Sequence, residues 1–273
     1  MQQLLEHPAV QGGVLPLIVA LIFGAVFART RYAWLALAVA FATMIALTVG
    51  FSFSPLTASR KVTLVLLAAA LVGVVVDSWP STARGFAPAL AIAAGIVAPW
   101  VFLSILAQRE ATAGYVAAAG IAAFALVMTY AVMRLRSDGQ RVGAAGLGLG
   151  LGVGIAAVLS ASIGFLLSGV ALAAACGAML LVQLAFSRNI VPGFTATLPL
   201  GLGVALFAIG SVLLAELKWY LVPLFLLIPA AVALPAPGNL PRIVRAAILA
   251  GYACVAAAIP ILAAWYAARG SLS

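Results

Sequence analysis

The sequence predicts an all-α protein, a polytopic transmembrane helical bundle of about ten spans that forms one integral membrane domain over residues 1–273. Three observations carry this reading. First, 66% of the residues are hydrophobic and 7% charged, with mean hydropathy +1.27. Soluble domains are roughly a quarter charged, so a water-soluble fold is excluded. Second, the apolar runs are continuous, whereas strands of a membrane barrel alternate apolar and polar at every second residue. Third, the stretch from Val142 to Ser187, between Arg141 and Arg188, carries no charge. At about 20 residues per crossing it accommodates two helices.

The expected spans are 14–28, 33–51, 62–76, 86–106, 115–133, 142–160, 163–186, 194–215, 219–236 and 246–268. The first is short and holds Pro16 near its start, where the missing N–H is harmless. Trp34 opens the second and reads as an interface anchor. In the third, about 15 residues separate Lys61 from Asp77, roughly 22 Å of helix against about 30 Å of hydrocarbon. Either Lys61 snorkels outward or Asp77 lies inside the boundary. Arg84 is the expected partner of Asp77. The fourth span carries Pro99 in its interior. The fifth ends in RLRSDGQR, the densest basic cluster.

The sixth span places Gly146, Gly150 and Gly154 one turn apart on one face. Interior glycines weaken a helix in water, but lipid enforces the helix and small residues admit a neighbouring backbone. These three are read as helix-packing residues, and 142–160 as the most buried helix. Ser160 to Gly164 form the turn into the seventh span. The eighth holds Pro199, Gly201 and Gly203. Pro223 and Pro229 should bend or break the ninth. The tenth contains Pro260 and ends in Trp265, Tyr266 and Arg269, an interface signature. The N-terminal MQQLLEHPAVQGG lacks the positive region of a signal peptide, and no soluble domain is expected at either end.

Orientation follows from the basic residues. The odd-numbered connections hold Arg29, Arg31, Arg84, Arg134, Arg136, Arg141, Arg188, Arg242 and Arg245; the even ones and the C-terminus hold Arg60, Lys61, Arg109, Lys218 and Arg269. The excess places the odd connections in the cytoplasm and both termini outside. The abundance of Arg and Ala suggests a bacterial inner (plasma) membrane protein. Five spans on each side of the central loop also suit an inverted repeat with halves 14–133 and 142–268, although no residue-level similarity links them.

The chemistry is informative by absence. His7 is the only histidine, and the five carboxylates, Glu6, Asp77, Glu110, Asp138 and Glu216, all lie away from mid-span. Cys176 and Cys254 read as small buried apolar residues, and Glu216 with Lys218 as a surface pair. No convergent ligand set for a metal is present, so no metal, no cofactor and no catalytic residue is expected, and the chain is read as no enzyme. The net charge is +9, and the 14 basic residues sit singly or in pairs between apolar runs, which suits topology signals and anionic lipid headgroups and not nucleic acid.

The function predicted is a small secondary transporter or permease-like carrier of a neutral or amphipathic solute. The alternative is a non-catalytic subunit or scaffold, and a third reading is a lipid-handling enzyme using the Arg60, Lys61 and Asp77 region. Substrate or gating roles are expected for Asp77, Arg84, Arg60, Lys61, Pro99, Pro223 and Pro229. Asp77 reads first as a helix-end carboxylate, solvated or paired with Arg84, and more sharply as a gating residue. Expected partners are membrane lipids, other membrane subunits or a second copy of the chain.

Overall fold

A computed structural model describes residues 7–30, 32–48, 50, 57–79, 85–236 and 240–270. It is 84% helical, with no strand among the described residues. The apolar helices, in chain order, are α1 (Val10–Val26), α2 (Ala33–Thr48), α3 (Ala58–Ser78), α4 (Phe86–Val101), α5 (Ala111–Met133), α6 (Gly139–Leu159), α7 (Ile163–Ala185), α8 (Gly193–Leu214), α9 (Trp219–Ala233) and α10 (Arg242–Arg269). Six of them, α3, α5, α6, α7, α8 and α10, are long and apolar enough to cross a bilayer. The expectation of about ten spans rests, for the remaining four, on helices of 10–17 residues. An α-helix of 17 residues reaches only about 26 Å against about 30 Å of hydrocarbon.

Helix ends meet at two levels. Trp34, Asp77, Asp138, Ile190, Phe194 and Arg245 contact one another's segments at an arginine-rich end. At the opposite end Lys61 meets Trp100, and the Glu216 N–H donates to Ser160 O at 3.3 Å. No ion pair joins Glu216 to Lys218 among the described residues.

The most buried helix is α8, not α6. In α8, 83% of the apolar window is buried, against 72% in α6. The reason is position: α8 touches α2, α3, α4, α5, α6 and α7, whereas α6 serves mainly α7 and α10. A Cβ on Gly150 would lie 2.5 Å from Gly169 O on α7, and one on Gly146 would lie 2.2 Å from Cys176 Sγ. A Cβ on Gly154 would meet Leu166 O at 3.2 Å. Backbone rests on backbone along this seam. The intervening Gly148 approaches Ala253 of α10. Cys176 is buried within α7, but Cys254 is exposed on α10, which corrects the reading of both cysteines as interior.

The residues of α9 form eight residues of 3-10 helix, Trp219–Leu226, then an α-helix, Leu227–Ala233. Pro223 lies in the first part and Pro229 in the second. The 3-10 rise extends the segment to about 26 Å, where an unbroken α-helix would reach about 22 Å. Helix α3 runs for 21 residues and so includes Arg60, Lys61 and Asp77 within its turns. Trp34 is not a lipid-facing anchor. It is fully buried, and its indole N–H donates to Ile190 O at 2.8 Å, pinning the α7–α8 connection. An indole in the core requires such an acceptor.

Candidate functional site

At the end opposite the arginine-rich connections, a cavity of about 430 Å³ opens between α2, α3, α7 and α8. Phe41, Phe165 and Phe207 form its aromatic wall. The rings of Phe41 and Phe165 lie 5.8 and 6.2 Å from that of Phe207. Around the rest stand Thr48, Ser59, Thr63, Ser162 and Ser168, with no ionisable side chain in the lining among the described residues. Three of these hydroxyls donate one turn back along their own helices: Thr48 to Met44 O (2.9 Å), Thr63 to Ser59 O (3.2 Å) and Ser168 to Gly164 O (2.9 Å). This pattern satisfies the hydroxyl proton locally and leaves the oxygen as an acceptor. The site is an apolar chamber with a few hydrogen-bonding oxygens.

The other end of α3 and α8 is tied together. Asp77, in the last turn of α3, accepts hydrogen bonds from Phe194 N–H (3.0 Å), Thr195 N–H (2.8 Å) and Thr195 Oγ1–H (2.7 Å). Helix α8 is preceded by Pro192, which offers no side-chain cap, and has no acid in its first turn. A carboxylate from α3 therefore caps α8 from outside, where orphan N–H groups and the helix dipole favour negative charge. Two glycines make room. Gly193 has φ +58°, and a Cβ there would lie 2.3 Å from Asp77 Oδ2; a Cβ on Gly73 would lie 2.5 Å from Phe194 O.

Nearby, Asp138 caps α6, accepting from the N–H groups of Gln140 (3.1 Å) and Arg141 (3.3 Å). It also pairs with Arg141 Nε at 3.4 Å and with Arg245 of α10. Arg141 reaches Val232 O of α9 at 2.9 Å, and Asn189 accepts from Gly139 N–H at 3.0 Å. These bonds tie α6, α9, α10 and the α7–α8 connection into one closed end.

The sequence-predicted residues do not converge. Asp77 sits at one end of α3 and Arg60 and Lys61 at the other. The Lys61 ammonium lies 5.0 Å from the Trp100 ring of α4, and neither basic residue lines the cavity. Arg84 falls outside the described residues. Pro99 precedes the end of α4 at Val101, after which a single turn, Leu103–Leu106, follows. Pro99, Pro223 and Pro229 are also absent from the lining. Gly146, Gly150 and Gly154 face α7. Sequence reasoning missed the three phenylalanines, which look like any other core residue. The hydroxyls left a fainter signal: Thr48, Ser59, Ser162 and Ser168 all flank connections that alternation brings to one end.

No protein-family model and no curated protein matches the chain.

Proposed function

We propose that the chain is a small multi-pass carrier that moves a neutral or amphipathic solute across a bacterial inner membrane, with all ten helices crossing and the arginine-rich end in the cytoplasm. The observation that carries this reading is the cavity among α2, α3, α7 and α8, large, aromatic-walled and without an ionisable side chain in its lining among the described residues. A charged solute would be desolvated there without a counter-ion, which is costly.

The two-halves frame, 14–133 and 142–268, supports an alternating mechanism. Under it α3 corresponds to α8 and α2 to α7, and each of these pairs is in contact. The end of α3 is latched to the start of α8 by Asp77, while the start of α3 and the end of α8 flank the open cavity. Exchanging the conformations of the halves would close the cavity and release the latch. Asp77 is then a gating residue, and Pro199 within α8 is a place for that helix to flex. The halves differ elsewhere, since α10 packs on α6 whereas α5 packs on α8. No catalytic role is assigned to any residue.

The second reading, a non-catalytic subunit or scaffold, draws on the exposed stripe Val255, Ile259, Leu262 and Tyr266 along α10. Uptake into proteoliposomes of a panel of neutral and amphipathic solutes separates the two. The carrier reading requires saturable uptake that Ser168→Phe, which fills the cavity, abolishes while the protein stays folded. Absence of uptake by folded wild-type protein, or undiminished uptake by the variant, would overturn it.

A further inference from the structure

A second hollow lies at the arginine-rich end, on the side of α4 and α5. Its volume is about 360 Å³, and Ala87, Pro88, Tyr130, Arg134, Arg136 and Ser137 line it. Two arginines, a tyrosine and a serine thus line one concavity, and no acidic residue lines it among the described residues.

The two acids of this end are committed elsewhere. Asp138, adjacent in sequence to Ser137, is held by Arg141, Arg245 and the first turn of α6. Asp77 is held by the first turn of α8. Arg134 is left exposed with no ion pair among the described residues. Arg136 is oriented without being neutralised. Its Nη1 donates to Met133 O at 3.3 Å, and its guanidinium carbon lies 5.0 Å from the Phe194 ring centroid. Tyr130 and Ser137 have no hydrogen-bond partner for their hydroxyls among the described residues.

Every polar side chain among these residues carries a donor or a cation. The field is reinforced by the start of α4, a 16-residue helix whose first turn has no side-chain cap among the described residues. Planar guanidinium forks and neutral hydroxyl donors are the set that recognises a tetrahedral oxyanion.

We infer that this hollow binds a phosphate group, carried either by an anionic phospholipid headgroup or by a small phosphate in solution. The site is independent of the solute cavity, which opens at the opposite end, and it stands whether or not the chain is a carrier.

The test uses the full chain, first in nanodiscs of phosphatidylcholine with a titrated fraction of phosphatidylglycerol, then in detergent with inorganic phosphate alone. Bound lipid is counted by native mass spectrometry, and phosphate by calorimetry. Arg134→Gln is compared with Arg109→Gln, which removes the same charge at the opposite end. Retention of phosphatidylglycerol over phosphatidylcholine is expected, and Arg134→Gln should weaken it about fivefold, the worth of one basic residue at a membrane surface. Arg109→Gln should leave it unchanged. Tyr130→Phe, which keeps the ring and deletes the donor, should weaken it without altering the melting temperature. Saturable binding of inorganic phosphate that the same variants weaken would identify a soluble phosphate as the ligand; its absence beside lipid retention would identify the headgroup. Equal losses from Arg134→Gln and Arg109→Gln would mean diffuse charge attraction and would overturn the site, as would binding of neither probe.

Discussion

Removing the Asp77 carboxylate should loosen the junction of α3 and α8 more than any other single polar change at that end. Asp77→Ala deletes the acceptor for three donors, two of them backbone N–H groups in the first turn of α8. Phe194 and Thr195 are buried, so water cannot fully replace the lost acceptor. A hydrogen bond to a charged group contributes about 1.5–3 kcal/mol, and an orphaned buried donor costs about 1–3 kcal/mol. Asp77 is only half-buried, and the three bonds share one acceptor group, so the terms do not simply add. A loss of about 3 kcal/mol is expected. Asp77→Asn keeps one acceptor oxygen but loses the charge, and should cost about 1 kcal/mol. Thr195→Val removes one donor and should cost about 1 kcal/mol in the wild-type background. In the Asp77→Ala background it should cost nearly nothing, a coupling of about 1 kcal/mol. Reversible unfolding in mixed micelles, followed by helical circular dichroism, measures all four corners of the cycle. An Asp77→Ala loss below about 0.5 kcal/mol, or strict additivity with Thr195→Val, would refute the capping role.

Three further outcomes are expected. Gly150→Val should destabilise the protein by about 2 kcal/mol or more, because its side chain meets the Gly169 carbonyl, which cannot move aside. Gly164→Ala, where a Cβ meets nothing within 4 Å, should be neutral in the same assay. Reporter fusions after residues 30, 138 and 240 should all read cytoplasmic, as the arginine excess requires; a split result would refute the alternating topology.

The glycine spacing of α6 already implied a close helix contact, because no side-chain bulk stands at positions 146, 150 and 154. It could not say which neighbour fills the groove, and it led to the wrong most-buried helix. Apolar residues on α8 and on a lipid-facing helix look alike in one dimension, since acyl chains and protein interior are equally apolar. The same ambiguity hid the role of Trp34, which is as suited to an interface as to a buried hydrogen bond. Prolines marked α9 as irregular, but the long 3-10 run that lengthens it emerges only when the helix is built.

Hydropathy and charge spacing were enough to predict an all-α chain with helices long and apolar enough to cross a bilayer, because lipid permits only closed backbone hydrogen bonding and punishes buried charge locally, residue by residue. What the tertiary structure alone decided is pairing. Asp77 meets the start of α8 across more than a hundred residues of chain, Asp138 turns to Arg245 and leaves Arg134 and Arg136 without an ion pair among the described residues, and Phe41, Phe165 and Phe207 gather around one cavity. Those contacts depend on how helices of similar composition pack in three dimensions, and the order of residues along any one helix does not encode its neighbour.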